Sequence, residues 1–309
     1  MPKTIKKINT MKKQLKKIAY ILKPLSLLIC LLAIGSMSFA QENTEVKPKK
    51  NEIVKKTFKG NLLIDNQTVM VPVKGVFEFV IQHRFGVVKN GYEDFYGLYA
   101  PSNIRLGFNY TPIENLQVGF GLTKERMQLD GNLKYAILKQ AKVGGSPISA
   151  TYYGNFAIDT REKKGNFVNN SDRLSYFNQL ILARKINKSL SVQVAPSLTW
   201  FNNVEGYVNS EGVIKPKMNN AHFAIAFSGC YAINDKMDII ANYDQPLTKH
   251  TTNNPNPNVS FGLQIGTATH TFQIFLGNYQ SIVPQSNNFY NKNNYSKGQF
   301  LIGFNITKR

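Results

Sequence analysis

Charged residues are scarce in this chain, at 18% of 309 positions, against roughly 25% in ordinary soluble domains. Cysteine is scarcer still. Of the two, Cys30 lies in an N-terminal apolar stretch and Cys230 stands alone, so no disulfide framework and no cysteine metal site is expected. Histidine occurs four times, at His83, His222, His250 and His270. None falls in an HExxH string, and the chain has no G-x-S-x-G elbow, CxxC pair, P-loop or dinucleotide fingerprint. A nucleophile beside a positioned base is therefore not legible, and the expectation is a protein that is not an enzyme and carries no cofactor or metal. Apolar runs of helix length are also missing. The longest, Leu25 to Ile34, falls short of the roughly 20 residues a membrane helix needs.

The net charge of +20 suggests nucleic acid until its distribution is considered. Residues 1–40 hold eight lysines and no acidic residue, and Lys47, Lys49, Lys50, Lys55, Lys56 and Lys59 follow in a short polar stretch. Charge gathered in a tail marks a solvated segment. Without a basic helix or an RNA-binding aromatic strand motif, no nucleic-acid partner is expected.

The first forty residues have the order of an export signal: a lysine-rich start, the apolar run, and Ser38-Phe39-Ala40 ahead of Gln41. Cleavage near Ala40 is expected. Residues 41–74 then read as a periplasmic N-terminal tail or segment. It contains Leu62-Leu63-Ile64 and Val69-Met70-Val71, consistent with an extra strand or a packed segment.

From residue 75 to 309 the dominant signal is alternation with period two. Phe77, Phe79, Ile81 and Phe85 oppose Glu78, Gln82 and Arg84. Ile104, Leu106 and Phe108 oppose Arg105 and Gly107; Leu133 and Tyr135 oppose Lys134. Similar runs recur to the chain end, about twelve in all. Most approach the 9–11 residues that cross a bilayer at a tilt. The run near 173–185 is less clean, because Phe177 and Ile181 share a face with Ser175 and Gln179. Links alternate between short and long, except that 124–130 is short where a long one is due. The fold class expected is all-β: a single-chain antiparallel transmembrane β-barrel of about twelve strands in the outer membrane, with both termini periplasmic. An open sheet edge is excluded in lipid because its amides would have no partner. Tyr110, Tyr152, Trp200, Tyr231 and Tyr243 near strand ends suit interfacial girdles.

The polar face would line the interior. Its lumen or pore candidates are Glu78, Gln82, Arg84, Arg105, Lys134, Gln179, Gln193 and His222, with Asp238 and Lys297 as further charged candidates. A narrow aqueous path and plain internal packing would use the same residues. The functional expectation is a small channel or transporter for a polar or anionic solute; the alternative is a closed structural or surface-binding barrel. Partners are outer-membrane lipid and such a solute. His83 falls on the lipid side.

Several strings resemble a known family: Asn66-Gln67-Thr68-Val69, the Phe77–Gly86 run with Gln82-His83-Arg84-Phe85-Gly86, Asn103-Ile104-Arg105-Leu106-Gly107, Gly131-Asn132-Leu133-Lys134-Tyr135, and Gln179 to Lys185. Over residues 57 to the end, the chain resembles the DUF5777-like β-barrel proteins of Bacteroidota. The resemblance implies an outer-membrane barrel and carries over no functional residues.

Overall fold

A computed structural model describes residues 51–163, 165 and 167–309; the export signal read at residues 1–40 lies outside the described residues. The strands are β1 (Leu62–Leu63), β2 (Asn66–Gln67), β3 (Phe77–Val87), β4 (Asn103–Ile113), β5 (Leu116–Thr123), β6 (Gln128–Leu138), β7 (Ser149–Asp159) and β8 (Leu174–Lys185). They continue with β9 (Leu190–Phe201), β10 (Gly206–Val208), β11 (Ile214–Pro216), β12 (Ala221–Ala232), β13 (Met237–Pro246), β14 (Asn258–Gly266), β15 (His270–Gly277) and β16 (Leu301–Lys308). The one α-helix among the described residues, α1, is short and spans Pro284–Tyr290. No helix among the described residues is long and apolar enough to cross a membrane.

Twelve strands, β3–β9 and β12–β16, form a closed antiparallel barrel in which sequence neighbours pair throughout. The last strand meets the first, with Asn305 opposite Gln82 and Phe304 opposite His83. Closure follows from the alternation. Each strand has one apolar face and one polar face, and only a cylinder pairs every backbone amide while keeping the apolar faces outward. Along β3, Glu78, Val80, Gln82 and Arg84 are buried, while Phe77, Phe79, Ile81, His83 and Phe85 face out. His83 lies in the outer aromatic layer, stacked on Phe304 with ring centroids 5.0 Å apart.

The outer surface is a continuous belt of large apolar side chains, among them Phe120, Phe156, Phe223, Phe261 and Ile274. A patch of this extent belongs in lipid rather than water. Tyr110, Tyr135, Tyr152 and Tyr231 point outward near one rim, and Tyr176 and Trp200 near the other. Trp200 Nε1 donates to Asn202 Oδ1 at 3.0 Å, the apolar body and polar tip that suit an interface.

Five links lie at one rim, four of them tight (114–115, 186–189, 233–236 and 267–269) and one longer (139–148), and this tight-link rim also holds the start of β3 and the end of β16. At the opposite rim lie links 88–102, 124–127, 160–173, 202–220, 247–257 and 278–300. Besides short 3-10 turns, these links hold two elements that alternation did not indicate: the β10–β11 hairpin and α1. Both elements are too short for a periodic signal. Lys297, a lumen candidate by sequence, is exposed in the 278–300 link, because β16 begins only at Leu301.

If the outer belt contacts lipid, Ile274→Lys in the middle of β15 should destabilise the barrel by about 2–4 kcal/mol. Urea unfolding in lipid vesicles, with Ile274→Leu as control, measures this. An unchanged midpoint would mean that this face meets water.

Candidate functional site

The inside of the cylinder is occupied by the chain's own N-terminal segment. Residues 57–70 enter from the tight-link rim and turn back through the small β1–β2 hairpin. Phe58, Leu63, Ile64, Thr68 and Val69 are almost wholly buried. The stretch that reads in sequence as the end of a periplasmic segment is therefore packed within the barrel. Leu62-Leu63-Ile64 has found apolar cover that the outer face of a sheet does not provide.

That cover comes from inward side chains that break the alternation. Tyr153, Phe177, Ile181, Ile240 and Phe275 point inward and form one cluster with Phe58, Leu63, Ile64 and Val69. Phe275 fits because its paired neighbours on both sides are Gly262 and Gly303. A Cβ on either glycine would lie 2.5 Å from Phe275.

Polar contacts hold the rest of the segment. Gln273 Nε2 donates to the Leu62 carbonyl at 2.9 Å and its Oε1 accepts from Ile64 N at 3.2 Å. Asn305 and Asn242 donate to the carbonyls of Ile64 and Leu63, both at 2.5 Å. Ile64 has φ 61°, a left-handed conformation unusual for a β-branched residue. The Gln273 and Asn305 bonds fix both its amide and its carbonyl. Asn66 donates to Asp244 at 2.8 Å, and Lys59 pairs with Asp238 at 2.7 Å near the rim.

From the opposite rim, the 278–300 link descends to meet this segment. Tyr279 donates its hydroxyl to Asp65, and Asn287 of α1 donates to the same carboxylate at 2.5 Å. Gln285 reaches the wall, donating to Asn155 Oδ1 at 2.7 Å. Between the two inserts, a cavity of about 20 Å³ remains, lined in part by Asp65, Gln82, Arg105 and Gln179. That is scarcely more than one water requires.

All eight sequence-selected lumen residues are buried on the inner side. They do not converge on one centre. Lys134 and Gln193 grip the segment: Lys134 Nζ donates to the Asn61 carbonyl and Gln67 Oε1, both at 3.2 Å, and Gln193 donates to the Gln67 carbonyl at 2.8 Å. Glu78 accepts from Asn61, from Gln117 at 2.9 Å and from Arg309 at 2.7 Å. Arg105 forms a two-pronged pair with Asp130, at 2.8 and 2.7 Å, and donates to Gln82 at 3.1 Å. Gly121 leaves room for that pair, since a Cβ there would lie 2.3 Å from Arg105 Nη2. Arg84 stands apart, bonded to Asn305 at 2.9 Å and seated 4.5 Å above the Phe275 ring. Gln179 lines the small cavity.

His222 sits at the long-link rim, its Nδ1 3.0 Å from His250 Nε2. His250 Nδ1 accepts from Asn219 N at 3.0 Å, so His250 Nε2 carries its proton toward His222. Phe289 of α1 covers both rings. Sequence reasoning missed Asp65, Asn287 and His250 as partners. Their pairings span between 28 and 222 positions, and no local pattern encodes them.

Arg105→Gln alone leaves Asp130 buried without its counter-charge, with only Asn155 still donating to it at 2.9 Å, and should cost about 3–5 kcal/mol. Adding Asp130→Asn should recover much of this in a denaturant double-mutant cycle; additive losses would show that the pair is not coupled. Burial also holds the His250 imidazole below its ordinary range. The unfolded chain then takes up protons near about pH 6.5 while the folded loop resists them. Stability from this seat is therefore full above that pH and falls as pH drops below it. Limited proteolysis of the 247–257 link at pH 8 and pH 5 should show faster cleavage in acid, with the pH effect reduced in His250→Gln.

Among solved structures, the NanC porin aligns with 75% of this chain and 98% of its own, at 10% identity and a TM-score of 0.46. The KdgM porin aligns over the same shares, at 10% identity and a TM-score of 0.42. The COG4313 outer membrane channel from Pseudomonas putida F1 aligns with 85% of this chain and 99% of its own, at 12% identity and a TM-score of 0.42. No curated protein matches the sequence. The family described as a membrane bound beta barrel domain matches residues 58–309, beginning within the inserted segment rather than at the first barrel strand. The chain belongs to this family, DUF5777.

Proposed function

We propose that the protein is an outer-membrane channel for small polar or anionic solutes that rests closed, with residues 57–70 as its stopper. The observation that carries this reading is what fills the bore. Small barrels fill their interior with wall side chains. Here a separate segment at one end of the barrel sequence does much of that work. The wall behind it carries amides and charges, including Gln82, Arg84, Arg105, Lys134, Gln179 and Gln193, which water would solvate once the segment left. Tight links and both barrel ends at one rim suit a periplasmic side there, with the long links outside.

Magnitudes set how often the stopper leaves unaided. Phe58, Leu63, Ile64 and Val69 are all buried, and each contributes about 1.5–3 kcal/mol. Together that is about 6–12 kcal/mol, against roughly 1.4 kcal/mol per tenfold in population. Opening without a trigger is therefore rare. The same cluster, together with α1 closing from the other end, favours a second reading: a permanently closed barrel that acts through its loops.

Planar-bilayer recordings separate the two. The full chain should be almost silent. Deletion of residues 57–70, or the milder Leu63→Asp, should give stepwise conductance while the heat-dependent gel shift of a folded barrel persists. A folded deletion variant that passes no ions would leave the closed reading standing.

A further inference from the structure

The long-link rim holds a second cavity, of about 210 Å³, against about 20 Å³ for the first. Its lower wall is barrel, with Gln128, Asp159, Ser175 and Phe201, and Tyr290 at the end of α1 borders it. Because α1 is seated in the bore by Gln285 and Asn287, this is a blind vestibule.

Three guanidiniums line it: Arg126, Arg161 and Arg173. Arg161 is neutralised by Asp159, through bonds of 2.9 and 2.7 Å. The other two are oriented by aromatic rings. Arg126 lies 4.3 Å from the Tyr290 ring centroid, and Arg173 lies 4.7 Å from that of Phe167. Arg173 also donates to the carbonyls of Asp159 and Arg161, at 2.9 and 2.5 Å. The remaining acids are engaged elsewhere. Asp172 accepts from the amides of Val168 and Asn169, at 3.1 and 2.7 Å. Glu205 accepts from Asn253 and lies 4.0 Å from Lys217.

The backbone gives an independent indication. Arg126 and Met127 have φ of 56° and 49°, two successive non-glycine residues in a sparsely populated region. Such conformations cluster at ligand clamps and persist where the surroundings enforce them. They occupy 124–127, the shortest link on this rim. Its left-handed pair turns the chain within four residues and directs Arg126 over Tyr290 and into the cavity.

We infer that this vestibule binds a small solute bearing a carboxylate or phosphate, with Arg126 and Arg173 as the recognising groups. Guanidinium presents a planar fork of donors that matches either oxyanion, and a cation held by a ring face keeps its donors available. The inference names the solute class of the proposed channel and depends on that reading only for its biological use, since binding in the vestibule needs no open bore.

Calorimetric titration of the full chain in detergent tests it, with D-glucuronate, inorganic phosphate and D-glucose as probes. Glucuronate, phosphate or both should bind, glucose should not, and added salt should weaken binding. The anion that binds distinguishes a carboxylate solute from a phosphate one. Arg126→Gln and Arg173→Gln should each lower affinity at least tenfold with the heat-dependent gel shift retained. Arg173 also supports its own loop, so Arg126→Lys provides a second check: it keeps the charge, loses the fork, and should fall between wild type and Arg126→Gln. Binding of neither anion, equal binding of glucose, or affinity unchanged in both Gln variants would overturn the inference. A silent deletion variant in planar bilayers would count against the channel alone and leave this site intact.

Discussion

In lipid no backbone amide finds water, and this constraint organises the molecule from its outer face inward. Twelve strands satisfy it only by closing β16 onto β3. Closure fixes which side chains face outward, and the apolar belt with its tyrosine rims follows. Closure also creates an enclosed volume with a polar lining. That volume must hold water or be filled, and unpaired polar groups left dry within it are costly. The inserted segment and α1 meet this second requirement. The segment's backbone carbonyls accept from the wall's Gln273, Asn305, Asn242 and Gln193, and Gln285 of α1 donates to the wall's Asn155.

The filling is arranged in two chemically different zones. Toward Phe177, Ile181 and Ile240 the contact is apolar; toward Glu78, Lys134 and Gln193 it is hydrogen-bonded. The apolar zone sets how firmly the segment stays. In the proposed channel the polar zone would make its departure tolerable, because water can replace amide partners there. Glycine placement makes both zones possible. Gly262 and Gly303 clear space for Phe275, and Gly121 does the same for the Arg105–Asp130 pair. The inner-face glycines that look in sequence like room for a water path are in good part room for large neighbouring side chains.

Period-two alternation made the barrel strands readable almost to their ends, since lipid on one side imposes the same demand on every residue pair. Where the pattern failed, something other than lipid or water stood opposite. Phe177 and Ile181 spoil the β8 alternation because the inserted segment faces them. The short 124–127 link spoils the alternation of links where the arginine-lined vestibule lies. The inward direction of Glu78, Gln82, Arg84, Arg105, Lys134, Gln179, Gln193 and His222 was legible for the same reason as the strands. Their partners were not. Lys134 meets Asn61 and Gln67, and Asp65 meets Asn287, through tertiary contacts that leave no trace in local spacing. The helix α1 was hidden too, because seven residues hold barely two turns of periodicity.

Closure from both ends separates two tasks that a simple pore combines. In the proposed channel, a solute entering at the long-link rim would meet Arg126 and Arg173 before it meets α1. The carboxylate of Asp65 lies beyond, held jointly by Tyr279 and Asn287 of the outer insert and by Asn242 of the wall. Asp65 belongs to the inner insert, so this one carboxylate joins the two closures. A change that moves α1 therefore removes partners from Asp65, and a change that withdraws residues 57–70 removes Asp65 from α1. Because loss of either insert weakens the other's seat, coupling between the two rims requires no further element, and its free energy works equally in both directions.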